Sequence, residues 1–99
     1  MYFLSSDIHL EFFKKYQVDI IIKKIDSRLQ EYSDCNNKIL ILAGDICSVK
    51  NENLKYFLEN IHTKFTKILY VPGNHEYYGV SIEQGDKLLN DIIKNLDNV

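Results

Sequence analysis

The sequence predicts an α/β fold, three βα units whose strands form a parallel sheet. Three observations carry that prediction. Short apolar runs recur three times, at Tyr2–Ser5, Lys38–Ala43 and Lys67–Val71. Longer stretches follow each of them, with apolar residues at steps of three and four, the spacing of a single helix face. Strand followed by helix, three times over, is the order produced by right-handed parallel crossovers. No repeat, linker or low-complexity segment interrupts it, so the 99 residues are expected to form one small domain.

Each element has its own justification. The first strand, Tyr2-Phe3-Leu4-Ser5, is short, and the helix after it is read from Val18, Ile21, Ile22, Ile25 and Leu29. The second strand, Lys38-Ile39-Leu40-Ile41-Leu42-Ala43, is apolar almost throughout, which predicts a strand covered on both faces. Leu54, Phe57, Leu58, Ile61 and Phe65 mark the second helix, with Asn51 as its N-cap. Pro72-Gly73 stops the third strand. The last helix opens at Ser81-Ile82-Glu83-Gln84, a capping-box pattern, and continues through Leu88, Leu89, Ile92, Ile93 and Leu96.

Composition excludes several classes. Hydrophobic residues at 45% and charged residues at 26% are an ordinary globular balance, not that of a disordered tail. A net charge of −2 offers no footprint for general binding to nucleic acid or an anionic membrane. Runs such as Ile39 to Ala43 fall far short of the roughly 20 apolar residues that cross a bilayer. The opening residues, Met1 to Asp7, lack the basic and apolar regions of a secretory signal. The expectation is a soluble, cytoplasmic chain. Cys35 and Cys47 form no C-x-x-C pair and read as free thiols, one in a loop and one near a strand end.

Ligands of an open parallel sheet bind beyond the carboxyl ends of its strands. The polar residues just after each strand are therefore the informative ones: Asp7-Ile8-His9, then Gly44-Asp45, then Gly73-Asn74-His75-Glu76. Taken singly, each is an ordinary turn or loop residue, and Asn74 fits a turn position with positive φ. Jointly they bring carboxylates, imidazoles and an amide oxygen to one edge. Such an N/O set without thiolate suits Mn²⁺, Fe, Zn²⁺ or Mg²⁺. Gly44 and Gly73 let the backbone turn sharply as it leaves the sheet.

Three blocks carry a family resemblance: Ser6-Asp7-Ile8-His9-Leu10-Glu11-Phe12, Ile41-Leu42-Ala43-Gly44-Asp45-Ile46, and Tyr70-Val71-Pro72-Gly73-Asn74-His75-Glu76-Tyr77-Tyr78-Gly79. The sequence resembles the calcineurin-like metallophosphoesterases, in particular their small bacterial-type members, from its first residues to about Gly79. The resemblance implies the first half of that family's α/β/β/α sandwich. It also implies hydrolysis of phosphomono- or phosphodiesters by a hydroxide bridging two metal ions of Mn, Fe or Zn type. Asp7 and His9 would bind the first metal, Asp45 would bridge both, and Asn74 would bind the second. His75 would be catalytic, stabilising charge on the phosphate or protonating the leaving oxygen. Ions about 3.5–4 Å apart clamp the attacking and leaving oxygens and acidify bound water.

The family pattern goes on to two further histidine loops that these residues do not contain. The remaining histidine, His62, lies in the second predicted helix and reads as structural. Residues 1–99 are therefore expected to form one partial domain that lacks the C-terminal metal-ligand half. On this reading the first metal keeps Asp7, His9 and Asp45, whereas the second keeps only Asp45 and Asn74, too few to hold it firmly. Ser48 stands where many relatives carry an aspartate directed at the catalytic histidine, and Val49-Lys50 does not match the protein-phosphatase branch. Cys47 reads as a small buried hydrophobe. Glu76 reads as a structural acceptor, and Tyr77 and Tyr78 read as packing over the sheet end rather than as a wall for an aromatic substrate. The cluster of Lys14, Lys15, Lys23 and Lys24 reads as a solvated face.

Three functional readings follow. The first is a metallophosphoesterase site completed by a missing half, a partner chain or a second copy. Another is a catalytically silent fold half that binds metal or protein. The third, a receiver-like module holding one Mg²⁺, is disfavoured by His9 and His75, because Mg²⁺ sites prefer carboxylate and water.

Overall fold

The computed structural model describes residues 1–34 and 36–99, so the loop reading of Cys35 lies outside the described residues. Strands β1 (Tyr2–Ser5), β2 (Ile39–Ala43) and β3 (Lys67–Val71) form one parallel sheet in the order β1-β2-β3. Helices α1 (Lys15–Gln30), α2 (Glu52–Ile61) and α3 (Ile82–Ile93) follow the three strands in turn. The α/β architecture of three βα units is therefore as the sequence predicts.

The register aligns Phe3, Leu40 and Ile68 across the sheet, and Ser5, Leu42 and Tyr70 one step further along. These residues face the helices. Leu40, Leu42 and Ile68 are buried with Val18, Ile22 and Leu29 of α1, Leu54, Phe57, Leu58 and Ile61 of α2, and Leu89 of α3. The alternate residues face the other way, and there the prediction for β2 fails. Leu4 is 73% exposed and Val71 59% exposed, while Ile39 and Ile41 are only half-buried. Topology supplies the reason. Right-handed crossovers between strands laid down in sequential order all land on one face, and covering the second face with helices requires the order to reverse.

The helix ends follow local chemistry. The Asn51 side chain accepts a hydrogen bond from the Asn53 N–H, the expected N-cap of α2. The Ser81 hydroxyl caps α3 by accepting from the Gln84 N–H. Helix α2 stops at Ile61, earlier than the apolar spacing suggests, and a 3₁₀ turn (His62–Lys64) leads to Phe65. The Asn98 amide donates to the carbonyls of His62 and Phe65, which fixes that turn, and His62 Nδ1 lies 3.2 Å from Asn98 Oδ1. His62 therefore sits at the amino end of β3, opposite the loops that follow the strands. Among the described residues no helix is long and apolar enough to cross a membrane.

Candidate metal centre

The loops after β1 and β2 are stitched together by main chain. The N–H groups of Asp7, His9 and Leu10 donate to the carbonyls of Gly44, Asp45 and Ile46 at 3.0, 3.1 and 2.8 Å. This stitching requires left-handed backbone at Asp7 (φ 54°), His9 (φ 55°) and Asp45 (φ 55°). Asp and His tolerate that region better than most residues, yet it still costs about 1–2 kcal/mol per residue. Strain of this kind is retained where the surroundings over-determine it, typically at functional sites.

The loop after β3 closes on the loop after β2 because glycines face each other there. A Cβ on Gly73 would fall 2.6 Å from Asp45 Oδ1 and 2.8 Å from the Asp45 nitrogen. Gly44 has φ +83°, and a Cβ there would lie 3.3 Å from Gly73 Cα. Glu76, fully buried, locks the two loops. Its carboxylate accepts from the N–H groups of Asp45, Ile46, Cys47 and Gly73 and from the Tyr70 hydroxyl, five hydrogen bonds in all. Glu76 is thus the structural acceptor that the sequence suggests. Burial first, and then the bond to Glu76, push the Tyr70 hydroxyl pKa far upward.

Three donors converge on this scaffold. One ligand atom each of His9, Asp45 and His75 lies within 4.8 Å of the others. The two imidazole rings meet edge to face at 4.5 Å. The His75 N–H donates to Asp45 Oδ1 at 2.9 Å, and His75 Nδ1 lies 3.4 Å from the same oxygen. Asp7 stands at the rim, its Oδ1 4.0 Å from His9 Nε2 and its side chain 66% exposed. Asn74 is the first residue of the 3₁₀ turn Asn74–Tyr77 and is exposed. Of the five residues singled out from the sequence, the structure gathers His9, Asp45 and His75 most closely.

Among the described residues, four buried side-chain nitrogen and oxygen atoms lack a hydrogen-bond partner: His9 Nδ1, Glu11 Oε1, Glu11 Oε2 and His75 Nδ1. All belong to this edge. Native folds pair nearly all such atoms, so a concentration of unpaired ones singles this edge out. Carboxylate and imidazole donors with these orphaned atoms fit a divalent ion. Over residues 2–98 the chain matches the calcineurin-like phosphoesterase family. It belongs to that family.

As a calcineurin-like phosphoesterase, the chain comes from a family that works with divalent metal ions. Uncharacterized protein L509 of Acanthamoeba polyphaga mimivirus is 33% identical over 102 aligned residues, covering 95% of this chain and 35% of that protein. The chain thus spans about a third of the length of that relative. No solved structure gives a significant match.

Electrostatics separate the members of this phosphoesterase edge. The Asp45 carboxyl is held below the usual carboxylate range, chiefly by the hydrogen bond from the His75 N–H, with partial burial opposing. Burial pushes the Cys47 thiol up to about 12, with the charges of Glu11 and Glu76 adding to it. Cys47 is thus an inert core residue. The two tyrosines differ. Tyr77 packs against Gly85 of α3 and donates its hydroxyl to Asp86 at 2.6 Å, a packing role, though against the helix rather than over the sheet end. Tyr78 is 70% exposed and stacks on His75 at 5.4 Å, so it does not pack over the sheet end. The residue that sequence reasoning passed over is Glu11. Its signal was a carboxylate between apolar Leu10 and Phe12, two positions after a candidate ligand histidine.

Proposed function

We propose that this chain carries the donor edge of a metal-dependent phosphoesterase acting on phosphomono- or phosphodiesters. The observation that carries the reading is the His9, Asp45 and His75 cluster at the carboxyl end of a parallel sheet, with every buried unpaired side-chain atom of the described residues beside it. Asp7, His9 and Asp45 would hold one divalent ion, of Mn, Fe or Zn type, and Asp45 with the Asn74 side-chain oxygen would hold a second. Bound metal would activate water and neutralise phosphate charge. His75 Nδ1 is buried 3.4 Å from Asp45 Oδ1. His75 would stabilise phosphate charge or give a proton to the leaving oxygen.

Full activity requires further ligands on this proposal. They come from a C-terminal half of the domain, a partner chain or a second copy, and residues 1–99 form one partial domain. The reducing cytoplasm suits the free thiol of Cys47. A second reading, a catalytically silent fold half that binds metal or protein, is favoured by the bare apolar sheet face around Leu4, Ile41, Leu69 and Val71.

The test is hydrolysis of bis(p-nitrophenyl) phosphate by the purified 99-residue chain with added Mn²⁺, beside an Asp45→Asn variant. Turnover abolished by the variant upholds the phosphoesterase reading for the chain itself. Rates equal to those of the variant mean that residues 1–99 are a fold half, and move the search to the missing segment or partner.

A further inference from the structure

Glu11 lies on the 3₁₀ turn Leu10–Phe12, and its side chain is only 14% exposed. Both carboxylate oxygens are shielded from solvent and have no hydrogen-bond partner among the described residues. Burying a carboxylate unpaired is among the costliest things a fold can do, so packing alone does not account for it. Facing it is His9 Nδ1, 3.6 Å from Glu11 Oε1, and that nitrogen is equally buried and unpaired. The opposite ring nitrogen, Nε2, looks the other way, toward Asp7.

A neutral imidazole has one donor and one acceptor nitrogen, and the partner of one decides the task of the other. Histidines that bind metals commonly donate their second N–H to a carboxylate, which fixes tautomer and ring plane. We propose that Glu11 is the positioning residue of His9: its carboxylate accepts the Nδ1–H, so that Nε2 presents its lone pair to a divalent ion. This inference rests on the metal-site reading above. Bringing 3.6 Å to hydrogen-bond distance takes a shift of about 0.5 Å, within reach of side-chain rotation alone. The backbone beneath is already anchored by the bonds from His9 and Leu10 to Asp45 and Ile46.

The experiment is ¹⁵N NMR of the histidine rings of the metal-free chain, joined to Zn²⁺ affinity by titration and to thermal melting. The His9 signal is identified by its loss in His9→Asn. The wild-type chain is expected to show the Nδ1–H tautomer at His9. Glu11→Leu, of similar volume, should shift it toward Nε2–H and weaken Zn²⁺ binding about 10- to 100-fold. Its melting temperature should hold or rise, because burying a carboxylate costs more than one hydrogen bond to an imidazole returns. Glu11→Gln retains an acceptor oxygen and should restore the tautomer and most of the affinity. A merely structural Glu11 would lose stability on substitution and leave the tautomer alone, which overturns the proposal. An Nε2–H tautomer in the wild-type chain overturns it without any variant. Asp45→Asn separates the two readings. If it weakens Zn²⁺ binding while Glu11→Leu changes neither tautomer nor affinity, only the Glu11 inference falls. If Asp45→Asn leaves Zn²⁺ binding intact, the metal-site reading falls and takes this inference with it.

Discussion

The carboxylates of Glu76 and Glu11 are both buried at the carboxyl end of the sheet, and the fold treats them in opposite ways. Glu76 receives five hydrogen bonds from two loops and a tyrosine, whereas Glu11 receives none among the described residues. Asp45 stands between them, with a single N–H donor from His75. A carboxylate surrounded by donors is part of the scaffold, because its charge is compensated before anything binds. One buried without donors costs stability, and that cost is what the positioning role proposed for Glu11 would offset. Burial by itself therefore says little about the role of an acid; the census of its partners says more.

The most severe way to test this contrast is Glu76→Ala. Removing the shared acceptor strands several buried N–H groups at once, and the expected loss is about 3–5 kcal/mol, read from urea midpoints. Against the roughly 5–15 kcal/mol of a typical domain, that leaves little folded protein in reserve. A loss below about 1 kcal/mol would put Glu76 and Glu11 in the same class and undo the contrast.

Gly73→Ala should come next, because its Cβ would strike the Asp45 carboxylate and main-chain nitrogen. Forcing atoms into a packed site costs about 1–3 kcal/mol, and here the displaced group is a candidate ligand. Denaturation and Mn²⁺ titration should report losses of stability and of affinity together. Unchanged Mn²⁺ binding would show that the loop contact is not needed to hold Asp45.

Tyr70→Phe removes one of the five donors to Glu76 and leaves the ring in place. A loss of about 1–2 kcal/mol is expected by thermal melting, with Mn²⁺ affinity unchanged. The smallest effect concerns Asp45 and pH. Its folded pKa lies below the ordinary 3.8, so it contributes stability above that value and loses the contribution as pH falls through the folded pKa. In EDTA, the stability difference between the wild-type chain and Asp45→Asn should shrink as the solution is acidified below 3.8. A difference that stays constant with pH would mean that Asp45 is not held ionised by His75.

How much of this was legible beforehand varies from residue to residue. The three strands, the three helices and the caps at Asn51 and Ser81 follow from periodicity and short-range hydrogen bonding, and the structure keeps them. Convergence of the loops after the strands followed from parallel topology. The end of α2 did not, since Asn98, 36 residues beyond His62, sets it. Nor did the coverage of β2, because an apolar run reads the same whether one face or two are buried. Tyr77 and Tyr78 are neighbours of identical type, and only packing against Gly85 separates the structural ring from the exposed one.

The sequence by itself determined the alternation of strand and helix, the edge where the polar loops gather and the N/O character of the donors there. These depend on residue type and near-neighbour spacing, which the chain carries wherever it folds. Tertiary structure alone decided that Asp7, His9 and Asp45 adopt left-handed backbone, that the helices cover one face of the sheet, and that Glu76 is paired while Glu11 is not. Those outcomes turn on which groups arrive from distant segments, and the cost of a buried charge depends entirely on what arrives beside it.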